Sequence, residues 1–363
     1  MLTRTLTVLT ALACAAPSQQ VDSLAGLLAP LRRAHDVPAL GAAVLVDGEL
    51  RALGVDGVRK RGAPERVTEE DLWHLGSCTK AMTATWLALL VAEGKLAWES
   101  ELCALLPDLR EGMHRSARSV QLVHLLRHRS GLPPGPPKKL WVELFSYDGA
   151  DTQARTEVAR ALLGVPLAAK PGARFLYSNA GYMVAGAVGE RAAGASWQQQ
   201  LRERLFEPLG MERAGFGPPG TKEAVTQPWG HVGRGEATRP MFHDNPSSLG
   251  PAGTVHASLR DWAKFAAMHL GLVHGDALLT SAALSELHTP PDSGPYAHGW
   301  VVTERPWAEG PILTHSGSNT LWYCVAWLAP GARFAVLVTC NHGDGAAACD
   351  AVAAACVRRY AGG

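Results

Sequence analysis

Two polar residues open an otherwise apolar stretch of the chain. Ser77 and Lys80 stand three positions apart at the head of a run, 81–91, that is almost wholly apolar. The run predicts a buried helix over 77–93, on which residues three apart share a face. A lysine on a buried face must be paired or must give up its proton. A neutral lysine can accept the proton of the Ser77 hydroxyl, which is the chemistry of an activated serine nucleophile.

The start of this helix adds to that chemistry. Backbone N–H groups are unpaired at a helix N-terminus and favour developing negative charge, so Ser77 would lie beside oxyanion donors. The same pair has a purely structural interpretation, in which Ser77 caps the helix and Lys80 extends its ammonium to solvent. A single Ser-x-x-Lys does not decide between the two interpretations.

Two later stretches carry side chains that would complete such a site. Tyr177 and Asn179 come at the start of a predicted helix, and His315 and Gly317 lie on a predicted strand. Each has a structural alternative. Tyr177 could be a core aromatic, Asn179 a helix cap, and His315 an ordinary strand histidine.

Taken in order, these motifs carry a family resemblance. Ser-x-x-Lys, Tyr-x-Asn and a basic residue before Ser-Gly resemble the motifs of the serine β-lactamase and penicillin-binding protein superfamily. The resemblance is closest to the class C β-lactamase and esterase branch, and it covers roughly residues 25–345. Segments 120–133, 205–217 and 250–265 also resemble that branch.

The resemblance implies a role for each residue of the first two motifs. Ser77 would be the acylated nucleophile and Lys80 its proton partner. Tyr177 would be the general acid or base, with phenolate character favoured by nearby cations. Asn179 would bind the amide or ester oxygen of the substrate.

The third motif implies the oxyanion hole and the substrate class. Backbone N–H groups of Ser77 and Ser318 would stabilise the oxyanion, and Gly317 and His315 would contact the substrate. His315 replaces the lysine that is usual in lactam-active members. Because histidine is mostly neutral at pH 7, this replacement favours a small ester or amide over β-lactams and D-alanyl-D-alanine peptides.

The sequence therefore predicts an exported serine hydrolase, without cofactor or metal, that acts through a covalent acyl-enzyme. One alternative is a β-lactamase or D-alanyl-D-alanine peptidase, and another is a sensor or binding module that is acylated without turnover. The chain lacks Gly-x-Ser-x-Gly and His-Glu-x-x-His motifs. The net charge of +1 argues against a nucleic-acid partner. Loop residues His231, His243 and Asp244 could line the pocket, but no motif assigns them a role.

The N-terminus predicts export to the periplasm or the cell exterior. Residues 1–20 have one cation, a short apolar run and small-residue cleavage sites, as a signal peptide does. Cleavage before Cys14 would instead give a lipid anchor. No stretch of the sequence is long and apolar enough to predict a transmembrane helix.

The elements predict an α/β (α+β) fold with one antiparallel sheet built from both chain ends and flanked by helices. A hairpin turning at Asp47-Gly48 supplies the first strands, and four strands after residue 298 supply the rest. We expect a sheet domain formed by 23–76 and 250–360, with 77–249 as a mostly helical insertion. The absence of CxxC argues against a zinc-ribbon or thioredoxin-type site. Export would permit disulfides, but the sequence assigns no pairing, and buried free thiols are the prediction.

Overall fold

A computed structural model describes residues 20–272 and 278–362. The predicted signal peptide and Cys14 therefore lie outside the described residues, except for Gln20. Among the residues described, no helix has both the length and the apolar character needed to cross a membrane.

Strands occur toward both ends of the described chain, and most helices lie between them. The strands are β1 (Asp22–Ser23), β2 (Ala39–Val46), β3 (Glu49–Gly57), β4 (Leu72–His74), β5 (Gly215–Phe216), β6 (Gly230–Val232), β7 (Arg239–Met241), β8 (Val255–Ser258), β9 (Val301–Glu304), β10 (Pro311–Ser318), β11 (Tyr323–Ala329) and β12 (Phe334–Cys340). The helices are α1 (Ala25–Ala34), α2 (Thr79–Ala92), α3 (Leu102–Leu105), α4 (Leu122–Leu126), α5 (Lys138–Leu144), α6 (Asp151–Leu163), α7 (Asn179–Ala193), α8 (Trp197–Leu201), α9 (Gly250–Gly253), α10 (Leu259–His269), α11 (Ser281–His288) and α12 (Ala346–Tyr360).

The main sheet has seven strands in the order β1-β3-β2-β12-β11-β10-β9. All neighbours are antiparallel except the two-residue edge strand β1, which runs parallel to β3. Helices α1 and α12 cover one face, and α10 and the helical region cover the other. The predicted fold class, with a sheet drawn from both chain ends, is confirmed. The domain boundaries at 77 and 249 stay a prediction.

The predicted turn between β2 and β3 has a clear backbone cause. Asp47 and Gly48 have φ of 54° and 83°. Both values lie in the left-handed region, which the favoured two-residue hairpin turn requires at its two central positions. Asp-Gly is one of the pairs that tolerate this conformation, so this short motif determines the register of the first hairpin.

The apolar helix begins later than its sequence pattern indicates. A single 3₁₀ turn, Gly76–Cys78, precedes α2, so Ser77 lies in this turn rather than on the α-helix. Gly76 has a left-handed φ of 47°, which a regular helix cannot contain. Helix α8 also changes its geometry, because it ends at Leu201 and a π-helical turn, Arg202–Phe206, follows it.

The cysteines of the described chain are free thiols, as expected. Five of the six are buried, and Cys103 is half-buried. Cys349 and Cys356 are not bonded to each other. Cys78 follows Ser77 directly, and its Sγ lies 3.5 Å from that of Cys324 on β11.

A buried ion pair joins three helices behind the 3₁₀ turn. Arg155 of α6 and Glu190 of α7 form a two-pronged contact, of which the Nε–Oε2 distance is 3.0 Å. Arg155 is fully buried, and Glu190 also accepts the backbone N–H of Trp197 at 2.8 Å. Because both charges are out of water, the removal of either one leaves the other uncompensated.

We expect Glu190→Gln to lower the free energy of unfolding by about 3–5 kcal/mol, since Arg155 then stays buried without a counter-charge. Urea unfolding would measure the change. The matched control is Glu157→Gln in the exposed Glu157–Arg160 pair, whose atoms are 3.4 Å apart. That substitution should lower the free energy of unfolding by at most about 1 kcal/mol. Equal losses in the two variants would contradict the prediction.

Candidate active site

The 3₁₀ turn carrying Ser77 packs directly against the end of β10. A Cβ atom added to Gly76 would lie 2.4 Å from the backbone N of Ser318. One added to Gly317 would lie 2.0 Å from the carbonyl oxygen of Leu75. Both positions therefore require glycine, because a side chain on either would push the turn and the strand apart. The role of Gly317 is thus to permit this close approach.

Lys80 lies in the first turn of α2 and is fully buried, with 0% exposure. Its Nζ is 3.1 Å from Ser77 Oγ, 2.8 Å from Asn179 Oδ1 and 2.6 Å from the carbonyl oxygen of Ala252. The structural alternative, in which the ammonium reaches solvent, is wrong. The three partners come from the turn, α7 and α9, so Lys80 joins three separate elements.

Burial lowers the pKa of Lys80 to about 7, because desolvation disfavours the ammonium. A neutral amine has two N–H groups and one lone pair. The Ala252 carbonyl can only accept a hydrogen bond, and Asn179 presents its carbonyl oxygen. These two acceptors take the two N–H groups, so the lone pair faces Ser77 Oγ.

Tyr177 approaches the same oxygen from the other side. Its Oη donates to Ser77 Oγ at 2.9 Å. Burial raises the pKa of Tyr177 to about 12, because desolvation disfavours the phenolate. The expected phenolate character is therefore wrong for the free protein. Tyr177 stands beside Ser77 as a phenol that can donate a proton.

Two neighbouring residues at the start of α7 make different hydrogen bonds. Ser178 is the helix cap, since its Oγ accepts the N–H of Gly181 at 2.9 Å. Asn179 is therefore free of that task, and its side chain reaches Lys80 instead. Tyr177, immediately before the cap, is held outside the helix and faces the turn that carries Ser77.

A histidine that the motifs did not single out fixes the backbone around Tyr177. Leu176 N–H donates to the carbonyl of His128 at 2.7 Å, and Ser178 N–H donates to His128 Nδ1 at 3.0 Å. The His128 ring lies 4.2 Å from that of Tyr177. Together they belong to an aromatic cluster formed by His128, Phe175, Tyr177, Tyr182 and Tyr296.

His315 lies on β10 with its ring directed into the protein. Nδ1 is 2.6 Å from the carbonyl oxygen of Ser316, and Nε2 is 2.9 Å from Tyr296 Oη. In the neutral ring, Nδ1 donates to the carbonyl and Nε2 accepts from the tyrosine. Both nitrogens thus have protein partners, and the side chain is 6% exposed. The structure places the His315 ring against Tyr296 of the aromatic cluster.

The site is open to solvent on the side of Ser77. Ser77, Tyr177 and Asn179 are half-buried, and Ser318 is exposed. A substrate carbonyl carbon can reach Ser77 Oγ, while the carbonyl oxygen can face the backbone N–H groups of Ser77 and Ser318. This arrangement can activate a hydroxyl, stabilise an oxyanion and supply a proton.

The remaining polar candidates do not form a metal site. Nowhere in 20–272 or 278–362 do three or more His, Cys, Asp or Glu side chains converge on one point that could hold a metal ion. His231 accepts the N–H of Arg61 at 3.0 Å and contacts the Asn341 carbonyl at 2.7 Å, as a structural histidine does. Asp244 contacts His74 at 2.7 Å close behind the turn.

Comparisons with known proteins agree on one family. The family model described as Beta-lactamase matches residues 24–357. Penicillin-binding protein 4 of Amycolatopsis lactamdurans is 30% identical over 333 residues, 86% of this chain and 83% of that protein. Esterase EstB of Burkholderia gladioli is 32% identical over 185 residues, 49% of this chain and 47% of that protein. A crystal structure of SurE with D-Leu has a TM-score of 0.74 at 26% identity, covering 93% of this chain and 75% of that one.

The resemblance inferred from the ordered motifs is confirmed by these matches, since the family model and the first relative both span most of the chain. The chain belongs to the β-lactamase family of serine hydrolases.

Proposed function

We propose that this chain is a serine hydrolase that acts through an acyl-enzyme on small esters or amides without a carboxylate at the recognised end. The observation that carries the proposal is the contact between the buried Lys80 Nζ and Ser77 Oγ, with two further acceptors that direct the amine lone pair toward the hydroxyl. Residues 1–20 support the further proposal that the chain is exported, and a lipid anchor at Cys14 is the alternative.

Acylation would begin with proton transfer from Ser77 to Lys80. The hydroxyl oxygen attacks the substrate carbonyl carbon as its proton moves to the amine lone pair. The carbonyl oxygen becomes an oxyanion that accepts hydrogen bonds from the N–H groups of Ser77 and Ser318. These donors are backbone groups held by the contact between the turn and β10, so little reorganisation is needed.

Collapse of this intermediate requires a proton on the leaving group. Tyr177 is the group that can provide it, since its phenol already donates to Ser77 Oγ at 2.9 Å. The C–O bond of the ester breaks, the alcohol leaves with the tyrosine proton, and the Lys80 ammonium can return a proton to the tyrosine. Water then cleaves the acyl-enzyme with the same groups in reverse order.

The charges around the site support an uncharged substrate. Arg127 and Arg129 flank the aromatic cluster in sequence, but both are engaged with protein acceptors. Arg129 donates to three backbone carbonyls, and Arg127 pairs with Glu286 at 3.1 Å. Phe175 of the aromatic cluster is 45% exposed, which adds apolar surface.

A peptide containing a D-amino acid is the second candidate substrate. It is favoured by the 26% identity to SurE, which has been crystallised with D-Leu, and by the 30% identity to a penicillin-binding protein. A β-lactam or an acyl-D-alanyl-D-alanine is less favoured, because His315 stands where lactam-active members carry a lysine and both of its ring nitrogens already have protein partners.

Phosphonylation of Ser77 by a fluorophosphonate should accelerate as pH rises through about 7. The direction follows from Lys80, whose pKa is lowered to about 7. Below this pH the amine is protonated and cannot accept the serine proton. The second-order labelling rate between pH 5 and 9 would measure this, after subtraction of probe hydrolysis in buffer.

Two variants test whether this midpoint belongs to Lys80. Lys80→Arg keeps the charge but cannot accept a proton, and should label at least about 10²-fold more slowly with no midpoint near neutrality. His315→Gln should keep the midpoint of the pH profile. A pH dependence of labelling that disappears in His315→Gln and persists in Lys80→Arg would contradict the assignment of the midpoint to Lys80.

Tyr177→Phe should affect esters according to their leaving groups. An alkyl ester needs a proton on its departing oxygen, so kcat/KM should fall by about 10²-fold or more. A p-nitrophenyl ester of the same acid leaves as a stable anion and should lose less than about tenfold. Equal losses for the two esters would show that Tyr177 does not act as this acid.

The function itself is tested with a panel of neutral esters, amides of D-amino acids, penicillins and acyl-D-alanyl-D-alanine. Neutral esters should give steady turnover at the highest kcat/KM. Ser77→Ala should keep the melting temperature of the wild type and lose both turnover and fluorophosphonate labelling. A burst without turnover would indicate an acylated sensor. Faster hydrolysis of a penicillin than of any ester would replace the proposed function with that of a β-lactamase.

A further inference from the structure

A buried carboxylate lies behind the turn that carries Ser77, in a place that the proposed mechanism does not use. The side chains of His74 and Asp244 are 0% and 4% exposed, and His74 Nε2 lies 2.7 Å from Asp244 Oδ2. His74 ends strand β4, two residues before Gly76. Asp244 lies in the loop between β7 and α9, so a residue 170 positions away reaches the turn.

The hydrogen bonds determine which nitrogen of His74 carries the proton. Gly76 N–H donates to His74 Nδ1 at 3.1 Å, so Nδ1 must present its lone pair. Nε2 therefore carries the hydrogen and donates it to Asp244. Because both nitrogens are occupied, His74 is not free to act as a base toward a substrate. Its effect is to connect the carboxylate to the backbone N–H that immediately precedes Ser77.

The second oxygen of the same carboxylate is connected to the other side of the site. Asp244 Oδ1 accepts from Asn319 Nδ2 at 2.9 Å. Asn319 Oδ1 in turn accepts the N–H groups of Leu321 and Trp322, each at 3.1 Å. Asn319 follows Ser318 directly, so this side chain fixes the backbone just beyond the second oxyanion donor.

We propose that Asp244 is a positioning residue that sets the spacing of the two N–H groups of the oxyanion hole. Oδ2 acts through His74 on the turn of Ser77, and Oδ1 acts through Asn319 on the segment of Ser318. The inference rests on the proposed function, in which these two N–H groups stabilise the oxyanion.

The chemistry of the site explains why an aspartate is needed there. A carboxylate has only acceptors, so it accepts from His74 and Asn319 at the same time. An asparagine at this position has one acceptor oxygen and one NH₂ group. Its NH₂ would face a donor from either His74 or Asn319, so one of the two connections must break. Asp244→Asn keeps the number of heavy atoms and the shape of the side chain, so it tests the need for two acceptor oxygens alone.

Hydrogen exchange tests the connection without depending on catalysis. In Asp244→Asn, amides in segments 74–80 and 316–322 should exchange faster than in the wild type, relative to α12 as an internal reference. His74→Phe should accelerate exchange in segment 74–80. The phenyl ring keeps the stacking on Trp322, whose ring centroid lies 5.6 Å from that of His74. Asn319→Ala should accelerate exchange in segment 316–322.

The kinetic test compares an aryl ester with its thionoester, in which sulfur replaces the carbonyl oxygen. A well-formed oxyanion hole discriminates against the larger sulfur, so the wild type should strongly prefer the oxygen ester. Asp244→Asn should lower kcat/KM for the oxygen ester by about 10²-fold, the size of losing one oxyanion donor. The loss for the thionoester should be smaller, so the preference should shrink by about tenfold.

His256→Phe is the matched control. His256 pairs with His74 in the register of β8 against β4, and its Nδ1 contacts the Gly217 carbonyl at 2.9 Å. This change removes another imidazole from the same small sheet and should leave the oxygen-to-sulfur preference unchanged.

The outcomes distinguish this inference from the proposed function. An unchanged preference in Asp244→Asn overturns the positioning role, even where exchange is faster. If the wild type turns over neither ester, the proposed function has failed. In that case faster exchange at both segments still supports the connection through Asp244, and unchanged exchange overturns it.

Discussion

The burial of one amine determines the arrangement of this site. Lys80 is fully enclosed, and an amine placed there without partners would cost several kcal/mol. Its partners are a side chain on the 3₁₀ turn, a side chain on α7 and a backbone carbonyl on α9. Folding must therefore bring α2, α7 and α9 together before the cost is offset. The burial that lowers the pKa of Lys80 thus depends on the same helices that supply its hydrogen-bond partners.

A second constraint joins this helical assembly to the sheet. Gly76 and Gly317 allow the turn and β10 to touch backbone to backbone, with no side chain between them. This close approach brings Ser77 and Ser318, the two residues proposed to supply the oxyanion donors, near each other. Because β10 belongs to a sheet that includes β2 and β3, strands from both ends of the chain support this contact. The sheet therefore supports the turn that carries Ser77.

The sequence predicted the parts of the site that depend on local spacing. Ser77 and Lys80 are three apart, and the contact between their side chains follows from that spacing. The Asp47-Gly48 turn followed from two residue types, and the fold class from the resemblance and the order of elements.

Contacts that depend on tertiary structure could not be predicted in this way. The backbone carbonyl of Ala252 accepts from Lys80. Almost any residue type at this position would present the same carbonyl oxygen, so the residue type carries no signal for this contact. His128 and His74 act on backbone N–H groups near Tyr177 and Ser77, and neither spacing forms a motif. The expected phenolate of Tyr177 was wrong because desolvation by burial outweighs the hydrogen bond to Ser77, which alone favours the phenolate.

Burial acts on the acid and the base of the site in opposite directions. It lowers the pKa of Lys80 to about 7 and raises that of Tyr177 to about 12. In both cases burial shifts the equilibrium toward the neutral form, so a neutral amine and a phenol can coexist around Ser77 above about pH 7. A substrate carboxylate would lose water on entering this environment, and His315 offers no fixed charge in place of the usual lysine, while a neutral ester would lose little. The physical cause that prepares Ser77 for attack thus also supports the proposed preference for uncharged substrates.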